Sequence, residues 1–126
     1  MDNSEAREWF SKAEKDFDEA RFLFNNNRHL EYVAFFLHQS VEKYLKGFLI
    51  GKGWELEKTH DLVKLIRDAI RFDKSLEKFT PLMENMADYY IESRYPIGYL
   101  VEYDKNEIEK SLESTQIFID TLVRLL

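Results

Sequence analysis

Apolar residues recur at steps of three and four through most of this chain. The first such stretch is Ala6, Trp9, Phe10, Ala13, Phe17, Ala20, Leu23 and Phe24. It predicts one face of a helix, opened by Ser4 as N-cap. Asn25-Asn26-Asn27 reads as the turn that follows, because asparagine tolerates the left-handed region. A second helix is expected from about Arg28 to Ile50, with Ala34, Leu37, Val41, Tyr44, Leu45 and Phe48 as its core stripe. Gly51-Lys52-Gly53 ends it. Thr59 is the expected cap of a third helix carrying Leu62, Leu65, Ile66, Ala69 and Ile70, and Asp73 with Ser75 opens a short connecting turn of helix.

Thr80-Pro81 pairs a capping hydroxyl with proline at the first helical position, so a fourth helix is predicted from there to about Arg94. Pro96 forbids its simple continuation, and Ile97 to Tyr103 reads as a loop. Asp104 and Glu107 have capping-box spacing ahead of a last helix with Ile108, Leu112, Thr115, Ile119, Leu122 and Leu126 on one face. No strand alternation, repeat or linker interrupts this pattern. The expected fold is all-α: an antiparallel up-and-down helical bundle of four long helices plus one shorter helix, forming a single domain over residues 1–126.

Composition narrows the function classes. A chain of 126 residues buries roughly two thirds of its unfolded surface, enough to fold without a metal or disulfide. It has no cysteine, which excludes thiolate metal sites and cysteine nucleophiles and suits a reducing cytoplasm. Met1-Asp2-Asn3-Ser4-Glu5 is charged and lacks an apolar h-region, so no signal peptide is expected. No apolar run approaches the ~20 residues that span a bilayer, so no membrane partner is expected. A net charge of -6 argues against broad, nonspecific nucleic-acid binding.

Polar residues at helical spacing are the candidates for chemistry. Gln39, Glu42, Lys43 and Lys46 share a second face of helix two. That face reads either as a solvated surface with a Glu42–Lys46 pair or as the wall of a polar pocket. On helix four, Met83, Met86, Ala87, Tyr90 and Arg94 fall on one side, which makes Arg94 the last member of an apolar stripe. Its guanidinium either snorkels to water beside the helix C-terminus or binds a phosphate or carboxylate in two-pronged fashion. His29, His38 and His60 show no metal-ligand spacing, and no cofactor is expected. Taken on spacing alone, His38 reads as structural and His60 as a first-turn residue. Phe22 and Phe36 point away from their core stripes and raise the expectation of a second packing surface, most simply a symmetric dimer.

Four segments together resemble the HEPN domain in its minimal stand-alone prokaryotic form. They are Ala13-Glu14-Lys15-Asp16-Phe17, Gln39-Ser40-Val41-Glu42-Lys43-Tyr44-Leu45-Lys46, Lys58-Thr59-His60-Asp61-Leu62 and Ser93-Arg94-Tyr95-Pro96. The resemblance implies a homodimeric helical bundle in a prokaryotic cytoplasm, often paired with a small nucleotidyltransferase in a two-component or toxin–antitoxin system. It also implies nucleotide binding or metal-independent ribonuclease activity. The ribonuclease motif is an arginine and a histidine with four to six residues between them. Arg94 matches the arginine, but the matching positions hold Tyr99, Leu100 and Val101. Histidine suits proton transfer near neutral pH, whereas tyrosine has an unperturbed pKa of about 10.

Three readings follow. The first is a homodimeric binding module for a nucleotide or a partner nucleotidyltransferase, with Gln39, Glu42, Lys43, Lys46, Tyr90, Arg94 and Tyr95 as ligand-binding residues. The second is a ribonuclease acting on RNA, with Arg94, His60 and Tyr99 as its candidate catalytic residues. The third is a non-catalytic helical adaptor that docks through Phe22 and Phe36. The missing motif histidine leans the balance away from an enzyme.

Overall fold

Three alanines on the first helix and two glycines on the second let this pair of helices lie close together. In a computed structural model describing residues 3–89 and 103–126, α1 spans Ser4–Asn25 and α2 spans Leu30–Gly51. Ala6, Ala13 and Ala20 recur every seven residues on α1 and are fully covered. Opposite them, the Ser40 hydroxyl donates to the Ala13 carbonyl at 2.8 Å. A Cβ at Gly47 would lie 2.8 Å from the Phe10 ring and 3.0 Å from Trp9 Cβ. One at Gly51 would lie 3.5 Å from Ala6 Cβ. Low residue numbers on α1 thus meet high ones on α2, so the pair is antiparallel.

Among the described residues three further helices follow: α3 over Leu62–Phe72, α4 over Thr80–Met86 and α5 over Lys105–Arg124, with a 3-10 helix over Lys74–Phe79 between α3 and α4. There is no strand among the described residues. α2 is the central element, touching α1, α3 and α5, while α4 bridges α3 and α5. Its expected stripe is buried throughout, together with Val33, His38 and Leu49. Phe118 joins the core from α5 and stands edge-on to Phe79 at 5.2 Å between centroids.

Several element ends differ from the pattern's expectation. Asn3, not Ser4, is the N-cap of α1. α2 begins at Leu30 rather than Arg28 and runs to Gly51. Asp61, not Thr59, caps α3 by accepting from the Lys64 backbone N–H at 3.1 Å. The Thr59 hydroxyl instead accepts from the Asp61 backbone N–H, forming the turn that delivers the true cap. Thr80 is already inside α4, with Phe79 as N-cap. Asp104 caps α5 by accepting from the Asn106 backbone N–H. Asn27 takes a positive φ of 55° and Gly53 one of 92°, so both turns use residues that tolerate left-handed backbone.

α4 stops at Met86, shorter than expected, although Ala87 keeps helical dihedrals. The rest of the expected fourth helix, from Tyr90 to Arg94, lies outside the described residues, as do Tyr95 and Tyr99. Leu126, expected on the core face of the last helix, follows its end and is substantially exposed. Of the two outward phenylalanines, Phe22 is 61% exposed. Phe36 is half-buried against the core and meets Phe35 edge-on.

Candidate functional site

Midway along α2 the helix buries charge. Glu42 is 4% exposed and Lys46 5%, so neither belongs to a solvated face. Such burial requires neutralisation, and the ammonium of Lys46 donates to Glu42 Oε2 at 2.9 Å. The half-buried Trp9 of α1 lies over that ammonium, 5.9 Å from ring centroid to Nζ. Lys43 turns the other way, donating to Asp16 of α1 in an interhelical pair. The two lysines of the stripe therefore both meet carboxylates of the chain itself.

The second oxygen of Glu42 faces two imidazoles. His60, in the turn before α3, brings Nδ1 to 2.9 Å from Oε1. His38, one helical turn before Glu42, brings its Nδ1 to 3.8 Å from the same oxygen. Burial lowers the His38 pKa from 6.5 to about 4, although Glu42 and the His60 backbone work against this. His38 is thus neutral at neutral pH and acts as a wall. His60 differs in that about half of its side chain is exposed.

An ionised carboxylate only accepts, so the hydrogen of a neutral His60 ring sits on Nδ1 and its lone pair on Nε2. The buried Glu42 thereby fixes the tautomer of a partly exposed imidazole. Chemically, this ring can accept a proton or hydrogen-bond a ligand through Nε2. Gln39, one turn earlier on the same face, has a buried amide oxygen with no hydrogen-bond partner among the described residues. The structure thus brings Glu42, Lys46 and His60 together, with Gln39 one turn earlier on α2, while Lys43 serves the α1–α2 seam.

The pattern had a signal for the third partner. His38, Glu42 and Lys46 follow one another at steps of four, the spacing that stacks side chains along a helix. Among the described residues, no group of three or more His, Asp or Glu side chains could hold a metal ion. No described helix is long and apolar enough to cross a membrane.

Comparison with known proteins places this bundle. The family profile of the HEPN domain matches residues 6–126, and the chain belongs to that family. It is similar in fold to a protein of solved structure, TT1696 from Thermus thermophilus, with a TM-score of 0.83 at 22% identity. That match covers 96% of this chain and 98% of the other. No curated protein matches the chain.

Proposed function

We propose that this HEPN protein is a homodimeric binding module that takes a nucleotide, free or presented by a partner nucleotidyltransferase, beside the turn that precedes α3. The observation that carries this reading is the half-exposed His60 ring anchored on the buried Glu42 carboxylate. A side chain held by such a partner loses little rotamer freedom on binding, so it is preorganised for contact. Lys46 and Glu42 neutralise each other and form the floor, while the Gln39 amide oxygen offers an acceptor still in need of a donor. In this reading Arg94, which matches the family's arginine, receives the phosphate oxygens, and Tyr90 and Tyr95 are further ligand-binding residues. The proposed setting is a prokaryotic cytoplasm and a two-component, toxin–antitoxin-like system.

Calorimetric titration of ATP and AMP into the wild type, His60→Ala and Arg94→Ala tests this. Saturable binding that falls at least tenfold in each variant supports it. Equal affinity in all three proteins contradicts it.

The same Glu42–His60 contact favours a second reading, in which His60 supplies the proton acceptor that the family's motif lacks after Arg94. A carboxylate-oriented imidazole is a common form of general base. The activity would then be metal-independent RNA cleavage, with Arg94 stabilising the charged transition state. Incubation of RNA with purified protein in EDTA decides this. Cleavage that His60→Asn abolishes supports it, and intact RNA with the wild type ends it.

A further inference from the structure

On the opposite flank of α2, a groove of about 430 Å³ opens between α1, α2 and α5. Its volume is within the range of small-ligand sites. Tyr44 of α2 forms its floor. This residue is only 5% exposed, and its ring packs in the core against Phe10 at 5.5 Å between centroids. A phenylalanine would fill that space equally well. The Tyr44 hydroxyl, however, makes no hydrogen bond with any described residue. The ring is buried, but the hydroxyl oxygen is not among the fully buried unpartnered atoms, so it opens to the groove and is available to a ligand there.

The groove's walls show what that hydroxyl faces. Glu14 and Asp18 come from α1 and Asp120 from α5, and Arg21 and Arg124 line it as well. Burial first, then the Glu14, Asp18 and Asp120 carboxylates, push Tyr44 up to about 12, and Arg21 opposes them. The phenol therefore stays protonated and its oxygen sits in a negative field. Arg21 is already taken by Asp18 at 2.8 Å. Asp120 accepts from the Gln116 amide at 3.0 Å through one oxygen. Glu14 has no ion pair or hydrogen bond with a described residue. Between these acceptors, Ile119 and Val123 contribute apolar surface.

We propose that this groove binds the ammonium end of a short aliphatic di- or polyamine. An ammonium has three donors and no acceptor. Glu14, the second oxygen of Asp120 and the Tyr44 oxygen supply three acceptors from three helices. The apolar side chains of α5 suit the methylene chain that follows. A hard divalent cation fits less well, since one of the three acceptors is a neutral phenol and the remaining carboxylates stand on different helices. This site is separate from the His60 region, so its failure leaves the proposed function untouched.

Titrating spermidine and putrescine into the protein in 150 mM NaCl, by calorimetry, tests the site. One saturable event per chain is expected, weakened at least fivefold by Tyr44→Phe and tenfold by Glu14→Gln. Glu77→Gln, on the exposed face of the 3-10 helix, is the charge-matched control and leaves binding unchanged. Tyr44→Phe removes only an unpartnered hydroxyl, so it keeps the wild-type melting temperature. Absence of saturable binding overturns the proposal. So does equal binding by Tyr44→Phe, equal weakening by Glu77→Gln, or displacement of spermidine by equimolar Mg2+.

Discussion

His60 Nδ1 lies 2.9 Å from Oε1 of Glu42, across 18 residues of sequence. Through this contact the charge in α2 connects to the surface, because Glu42 is buried and His60 is half exposed. Removing either partner therefore has a distinct consequence.

Glu42→Ala leaves Lys46 buried without its counter-charge and His60 without its anchor. Loss of one partner from a buried pair costs about 3–5 kcal/mol. Urea denaturation at pH 7 is expected to show a loss of that order. His60→Ala removes a half-exposed ring and leaves the Glu42–Lys46 pair intact, so its loss is expected to be about 1 kcal/mol or less. Similar losses in the two variants would mean that Glu42 is not the buried member of the pair.

Stability also depends on pH through His38. The folded protein holds this imidazole near 4, while the unfolded chain titrates near 6.5. As pH falls below 6.5 the unfolded state takes up a proton that the folded state refuses. The stability contributed by neutral His38 is complete above that range and is lost progressively down to about 4. Between pH 7.5 and pH 5 the loss from this one group is about 2 kcal/mol. His38→Leu is expected to flatten that part of the urea-derived stability profile, and a profile unchanged in slope would contradict the buried neutral state.

Gly47 lets α2 lie close against α1. A Cβ there would stand 2.8 Å from the Phe10 ring and 3.0 Å from Trp9 Cβ. Gly47→Val, with two further methyl groups, is expected to cost about 1–3 kcal/mol by overpacking. The thermal midpoint reads this directly. A midpoint raised by Val would show that the seam is looser than these distances imply.

The Ser40 hydroxyl bridges the same seam to the Ala13 carbonyl. Ser40→Ala leaves that carbonyl with only its helical partner and is expected to cost about 1 kcal/mol. Asp61→Ala removes the cap of α3 and is expected to cost a similar amount. The cap change also frees the turn that carries His60, so it lowers ligand affinity as well. Ser40→Ala, on the far side of α2, leaves affinity unchanged.

Much of this architecture was legible in the pattern of apolar residues. The stripe of Ala34, Leu37, Val41, Tyr44, Leu45 and Phe48 is buried as expected because a three-and-four periodicity gathers those side chains on one face. Helix starts were less legible, since neighbouring Ser, Thr, Asn and Asp side chains all suit a cap. At α3, Thr59 and Asp61 both accept backbone N–H groups, and only geometry decides which one starts the helix. The candidate site was legible in part. The four-residue spacing of Glu42 and Lys46 marks a pair, but rules of amphipathicity place charged residues in water. Mutual neutralisation overrides them here, with Trp9 of another helix closing over the ammonium. His60 could not be assigned to Glu42 from spacing, because the chain between them includes the end of α2 and the whole connecting turn. The placement of Arg94, Tyr90, Tyr95 and Tyr99 lies outside the described residues.

The role of Glu42 in fixing His60 as the ligand-contacting imidazole underlies the proposed function. Nitrogen-15 correlation spectra of the histidine rings, recorded at pH 7.5 with and without ATP, test it most directly. In the free protein, His60 is expected to carry its hydrogen on Nδ1. Its Nε2 is expected to shift saturably as ATP is added, while the exposed His29 does not move. A His60 ring protonated on Nε2, or one whose resonances ignore the nucleotide, would contradict this role.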